Sequence, residues 1–383
     1  MTPSSSNCKQ VRIPELDGLR GIAILLVVSI HYFHDPDAKL PRLLRYLQTL
    51  FALGWTGVDL FFILSGFLIG GILLEARNSP NYFKTFYVRR VFRIIPIYYL
   101  WIVCLIVLVF VGSQFFSSHT QSGQVPSINW AICAHFLFLQ NLSTGNYSTL
   151  AVWWLGVTWS LAVEEQFYLV APLLVRFLSR WRLIAFLSCA VFAAPCCRIL
   201  VRALAPMWVG TIYRVTPFRA DTLALGVLAA IFWRDPESRE WLSRNKSLLY
   251  GAFGVLLAGM AAMGIWFWSP SRTITQTVGY TWIALFYLSL LFVVLSDTDG
   301  LLGKVARIGW LQEWGRISYC VYLIHAAVKY FCLTLLMQKS IHLVSWPSGV
   351  AGLLAMAISY AVAKLSWTFF EQPLLQIGHR YQY

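Results

Sequence analysis

The chain has 383 residues, of which 58% are hydrophobic, 16% aromatic and only 12% charged, about half the roughly 25% charged share of a soluble domain, so composition excludes a water-soluble globule. Its formal charge of +14 raises nucleic acid as a partner, but the basic residues form short clusters between apolar runs. With no basic domain and no RNA-binding motif, no nucleic acid is expected.

Residues 1–15 are polar and read as a cytoplasmic N-terminal segment. The first apolar run, 18–34, carries Arg20 and His31 and lacks a small-residue cleavage site, so it reads as a retained helix rather than a removable signal peptide. Further spans are expected at 52–74, 92–112, 158–175, 183–202, 220–233, 248–268, 276–296, 316–337 and 348–369. Most of these runs suit the roughly 17–25 residues that cross a bilayer. The run 220–233 needs help from its flanks, and Trp130 to Gln140 reads as an interfacial piece. With the N-terminus inside, 19 of the 30 Lys and Arg fall in cytoplasmic segments, nine outside and two within spans, as the positive-inside rule requires. The connection 113–157 contains no Asp, Glu, Lys or Arg and reads as an extracytoplasmic, neutral, hydrogen-bonding surface. Eight cysteines, mostly inside apolar runs, have neither metal spacing nor a disulfide pattern; they read as small core residues, and no metal is expected. The expectation is an all-α integral membrane protein: one domain over 1–383, a bundle of about ten transmembrane helices with both termini cytoplasmic, multi-pass in the cell (inner) membrane.

Ionisable groups inside spans cost roughly 2.5–3.5 kcal/mol each and so need partners, water or a job. Arg20 and His31 are eleven residues apart, which puts them on one helix face about 16 Å apart in depth. His31 is a candidate general base for removing a hydroxyl proton; the alternative is a packed, hydrogen-bonded histidine. Asp35 follows four residues later and either orients that ring or is solvated at the helix end. In WTGVDLFFILSGFLIGG, Asp59 sits among small residues that favour close helix approach; it is expected to face the interior and pair with Arg20 or another base. Arg89, Arg90 and Arg93, in VRRVFRIIPIYY, are expected at the cytoplasmic start of the third helix, where guanidinium forks and the helix end favour phosphate, or else serve as lipid-facing anchors. Tyr98, in the same run, is grouped with them. Adjacent Glu164 and Glu165 cannot share a helix face, so one of them is expected to face a cavity. Arg219, Asp221, Ser318, Tyr319, Tyr322, His325 and Glu371 each read as structural when taken singly.

Jointly, ELDGLRG with Arg20 and His31, GVDLFFILSGFLI, RRVFRIIPIYY, TWSLAVEEQFY, FRADTLALG, ISYCVYLIH and FFEQP resemble the acyltransferase 3 family of membrane O-acyltransferases. The resemblance implies transfer of an acyl group, usually acetyl, from cytoplasmic acyl-CoA (acetyl-CoA as co-substrate) to an acceptor hydroxyl. It also implies essential roles for His31 and Arg20, and a donor site at Arg90 and Arg93. The acceptors it admits are a glycan, a lipid-linked saccharide or a macrolide-like antibiotic, with membrane lipids as surroundings. Many relatives carry a C-terminal extracytoplasmic esterase-like domain. This chain stops about ten residues after FEQP, so the expectation is that the membrane domain or a partner binds the acceptor. The rival class is a secondary transporter, since intramembrane Arg, His, Asp and Glu also mark proton and substrate pathways, although no paired-half repeat supports it.

Overall fold

A computed structural model describes residues 13–34, 51–116, 130–142, 154–266, 269–337 and 346–383. These residues are mostly helical, with no strand among them: α1 (Pro14–Phe33), α2 (Gly57–Glu75), α3 (Tyr82–Phe116), α4 (Trp130–Phe136), α5 (Trp159–Phe177), α6 (Arg180–Leu204), α7 (Ala220–Arg234), α8 (Pro236–Arg244), α9 (Lys246–Trp266), α10 (Tyr280–Ser296), α11 (Leu301–Ala306), α12 (Gly309–Met337), α13 (Trp346–Ser366) and α14 (Gln372–His379). A helix coincides with each run read as a span. Seven of the described helical segments are long and apolar enough to cross a membrane, and the chain is a multi-pass membrane protein. α5, α7 and α12 fall outside that set. α7 has only 15 residues; α5 and α12 carry polar groups that line the cavity described below.

Two pairs of helices run parallel in close contact, and glycine makes both possible. A Cβ on Gly315 would overlap the Asp17 carbonyl oxygen, and one on Gly21 would overlap the Leu311 carbonyl oxygen, so α1 and α12 meet backbone to backbone; one on Gly18 would overlap Ala306 of α11. Their other ends meet where Lys329 donates to the His31 carbonyl, which fixes the parallel sense. In the second pair, Gly66 of α2 and Gly226 of α7 each abut the other helix's backbone, while Asp59 pairs with Arg219 at one end and Glu75 with Arg234 at the other. α1 and α2 are antiparallel, since Gly57 meets Ala23 and Gly54 meets Leu26 and Ile30. Close approach lets dispersion hold helices together where lipid offers no hydrophobic gain. Gly315→Ala is therefore expected to lower the melting temperature of detergent-purified protein by the equivalent of about 1–3 kcal/mol. Gly309→Ala, where an added Cβ meets nothing within 4 Å, should not; equal melting temperatures for the two would remove the packing argument.

Several sequence expectations change. The helix bearing the arginine run starts at Tyr82, not near 92, because its charged first turns continue the same helix past the apolar run. Arg89, Arg90 and Arg93 thus sit in its second to fourth turns, where backbone N–H groups are spent on helix bonds, and any phosphate contact rests on the guanidiniums alone. Arg198 and Arg219, counted outside, are wholly buried against Asp221 and Asp59; removing them from the outside tally sharpens the charge asymmetry. Asp59 faces the interior and its partner is Arg219. Cys320 and Cys332 are buried as core residues, whereas Cys104, Cys133, Cys189 and Cys196 are exposed on apolar helices, where a small apolar side chain also suits lipid. Beyond the apolar helices, Asp235 caps α8 by accepting from the Ser238 N–H (3.1 Å) and hydroxyl (2.7 Å). Those bonds, with Arg180 behind them, hold its carboxyl below the usual carboxylate range.

Candidate active site

α1, α2, α3, α5 and α12 enclose a cavity of about 230 Å³. Its charged lining is Arg20 from α1, Arg90 and Arg93 from α3 and Glu164 from α5; Ser65, Ser160, Tyr168, Ser318, Tyr319 and Tyr322 add hydroxyl groups. The guanidiniums of Arg20, Arg90 and Arg93 make no hydrogen bond or ion pair among the described residues, and the buried Arg90 Nε has no partner there. Glu164 and Glu165 act on them through charge at longer range. Unpaired cations in a half-enclosed, low-dielectric space are poised for an anion, and arginine forks suit phosphate.

The hydroxyls are ordered around this charge. Tyr168 donates to Glu164 Oε2 at 3.3 Å and so accepts from Ser65, at 2.7 Å. Tyr322 donates to the Val157 carbonyl at 2.6 Å and accepts from Ser160 at 2.6 Å. Of the adjacent carboxylates, Glu164 lines the cavity. Glu165 is turned aside, and its Oε1 is buried without a partner among the described residues.

Arg89 is set apart from the other two arginines. Its Nε donates to the Tyr381 carbonyl at 2.9 Å and its guanidinium lies 5.0 Å from the centre of the Tyr383 ring. Thr85 donates to the Gln382 carbonyl at 2.8 Å, so the segment after α14 lies against the start of α3 and occupies Arg89. Tyr98 is wholly buried outside the cavity lining. Its hydroxyl donates to the His135 carbonyl at 3.1 Å and accepts from Gln140 at 3.2 Å, which ties α3 to the segment 130–142. A π-helical turn, Trp367–Glu371, points Glu371 inward, where it accepts from Ser366 at 3.1 Å.

His31 lies farther along α1 than Arg20, about three turns on, and is exposed. Its Nδ1 is 2.7 Å from the Val27 carbonyl; a carbonyl only accepts, so Nδ1 carries the hydrogen and Nε2 keeps a lone pair. The sequence did not foresee that α12 links this ring to the cavity. Tyr322 is in the cavity wall, and His325, one turn on, packs edge-on against His31 with ring centres 4.8 Å apart. The signal was present as the spacing of Tyr322 and His325 in SYCVYLIH, which places both on one face. Asp35 lies outside the described residues. Glu164, Arg20, Arg90 and Arg93 are brought together; His31 stands at the far end of the same helix.

Residues 13–365 match the family model described as an acyltransferase domain. The chain belongs to the acyltransferase 3 family. It is similar to YrhL of Bacillus subtilis (strain 168), named as a candidate peptidoglycan O-acetyltransferase, at 28% identity over 96% of this chain and 56% of that protein. It is similar to the peptidoglycan O-acetyltransferase OatA of Listeria monocytogenes serovar 1/2a at 25% identity, over 96% and 56%. It is also similar to the O-acetyltransferase OatA of Staphylococcus aureus (strain NCTC 8325 / PS 47) at 24% identity, over 96% and 58%. The chain thus spans little more than half the length of these relatives. No solved structure matches it.

Proposed function

We propose that this chain is a ten-pass protein of the cell membrane, with both termini cytoplasmic, that moves an acetyl group from cytoplasmic acetyl-CoA to a hydroxyl of a glycan. The names of its relatives support a peptidoglycan acceptor. Helix directions support the pass count: if each of the ten helices crosses, the first and ninth run the same way, as do the second and sixth. Those are the parallel pairs α1 with α12 and α2 with α7.

The observation that carries the reading is the convergence of Arg20, Arg90 and Arg93, three arginines with a single cavity-lining carboxylate, Glu164, and no ion pair among the described residues, on one cavity. At about 230 Å³ it is smaller than the roughly 300–1,000 Å³ of a typical ligand pocket, so it takes only part of a nucleotide-bearing donor. Phosphates would sit at Arg90 and Arg93, with the acyl arm reaching along α1 toward His31. There the acceptor hydroxyl oxygen attacks the thioester carbonyl, a C–O bond forms and the C–S bond breaks. His31 Nε2 takes the hydroxyl proton and returns it to the departing sulfur. Holding donor and acceptor in one path supplies much of the acceleration.

The test is thiol release by purified protein from acetyl-CoA, with and without muropeptide acceptor. Acceptor-dependent release with an O-acetylated product is expected; no release would refute the reading. Arg90→Ala and Arg93→Ala should each raise KM for acetyl-CoA about 10–100-fold, the equivalent of a charged hydrogen bond of roughly 1.5–3 kcal/mol, while Arg89→Ala should leave KM near its starting value. An unchanged KM in the first two would remove the donor-site assignment.

A further inference from the structure

We propose that Ser160 binds the acyl donor: its side-chain oxygen accepts an amide N–H from the pantetheine arm of acetyl-CoA as that arm runs from Arg90 and Arg93 toward His31. The proposal rests on the acetyl-transfer reading above and names what the neutral part of the same cavity binds.

The hydroxyl hydrogens of the cavity wall are all committed to protein acceptors. Tyr322 gives its hydrogen to the Val157 carbonyl at 2.6 Å, an oxygen that only accepts. Ser160 Oγ lies 2.6 Å from the Tyr322 hydroxyl oxygen, a separation that needs a hydrogen between the two atoms, and Ser160 is left to supply it. Turning that hydrogen into the cavity would set bare lone pairs against each other. Ser318 is spent in the same way on the Gly315 carbonyl at 2.8 Å, and Tyr319 on the Ile94 carbonyl at 3.0 Å. Ser65 and Tyr168 pass theirs toward Glu164, over 2.7 and 3.3 Å. The wall therefore offers guanidinium N–H groups to an anion, and from its hydroxyls only lone pairs, which suit a ligand's own N–H groups.

Ser160 stands where the donor arm needs such an acceptor. It is buried in the cavity wall, one turn before Glu164 on α5. Among the described residues no group but Tyr322 bonds to its oxygen. Tyr322 in turn lies one turn from His325, which packs against His31, so Ser160 is on the side of the cavity that leads to His31. A pantetheine arm carries amide N–H groups along its length, and one left without an acceptor on leaving water costs affinity. Its thioester carbonyl is itself an acceptor and finds no uncommitted hydroxyl hydrogen here. The amide fits beside Ser160 and the reacting end does not, which leaves the thioester to pass on to His31.

The test measures acceptor-dependent thiol release by the full chain from acetyl-CoA and from two analogues, in each of which one pantetheine amide N–H is replaced by an ester oxygen. A site built to accept an N–H rejects a ligand that lacks it, so wild-type protein should show KM at least fivefold higher for one analogue than for acetyl-CoA. Ser160→Ala should raise KM for acetyl-CoA at least fivefold, leave KM for muropeptide within twofold of wild type, and treat that analogue and acetyl-CoA alike to within twofold. Equal KM for all three donors in wild type overturns the proposal whatever the variant does. So does a Ser160→Ala protein with its acetyl-CoA KM near wild type, or one that still rejects the analogue as wild type does, since its loss then comes from packing. A change that falls on muropeptide instead overturns it by assigning the lone pairs to the acceptor. If Ser160→Ala does not fold, Ser160→Cys, a weak acceptor of similar size, is measured against the same expectations. Wild-type protein that releases no CoA from acetyl-CoA would sink the acetyl-transfer reading itself.

Discussion

His31→Ala is expected to reduce acetyl transfer by about 10²–10⁴-fold, the range that a positioned general base contributes, while the protein still reaches the membrane and binds acetyl-CoA. The expectation follows from placement. His31 is exposed on α1, its proximal nitrogen is engaged with the Val27 carbonyl, and its distal nitrogen is free to take a proton. Among the described residues the side chain's contact across to another helix is the edge-on one with His325, with no hydrogen bond, so truncating it removes chemistry before it removes packing. Measuring kcat and the acetyl-CoA KM separately decides the matter: transfer within threefold of wild type would take His31 out of the reaction. Arg20→Ala should behave differently. Arg20 lines the cavity, so its loss is expected in donor affinity as well as rate.

The largest effect on stability is expected at the buried charges. Arg219 and Asp59 are both wholly buried and paired, and Arg219 lies 4.4 Å from the centre of the Tyr280 ring. Beside them Arg198 binds Asp221 at 3.0 Å, and Thr281 donates to the same carboxylate at 2.6 Å. The attraction of such a pair roughly offsets the cost of removing both ions from water, but deleting one partner leaves the other bare and costs about 3–5 kcal/mol. Asp59→Ala should therefore lower the melting temperature sharply or prevent folding. The double change Asp59→Leu with Arg219→Met should recover most of the loss, because an apolar pair of similar volume pays neither cost. Size-exclusion thermostability in detergent reads both. A single variant as stable as wild type, or a double no better than the single, would contradict the ion-pair account.

Much of the scaffold was legible because the apolar runs are long and the bilayer imposes a length. The edges were not. Tyr82 to Phe92 is too polar to read as part of a span, yet backbone hydrogen bonding carries the helix through it, and the arginines moved from the helix end to its interior as a result. Arg198 and Arg219 looked like outside charges because a sequence places basic residues between apolar runs without saying which carboxylate lies opposite. Periodicity established that Glu164 and Glu165 diverge, but only the packing of α5 against α2 and α3 turns Glu164 to the cavity. His325 was invisible as a neighbour of His31 for the same reason: their meeting depends on Gly21 and Gly315 drawing α1 and α12 into parallel contact. Arg20, Arg90, Arg93 and Glu164 were all candidates beforehand; their convergence is a tertiary fact.

The central claim is that donor and acceptor meet from opposite faces within this bundle. It is tested most directly in sided proteoliposomes, with labelled acetyl-CoA supplied only at the face bearing the arginine cluster and muropeptide only at the other. The account predicts label on the muropeptide and free CoA on the donor side, both lost in His31→Ala. Muropeptide crossing the membrane unmodified, with acetyl-CoA intact, would contradict it.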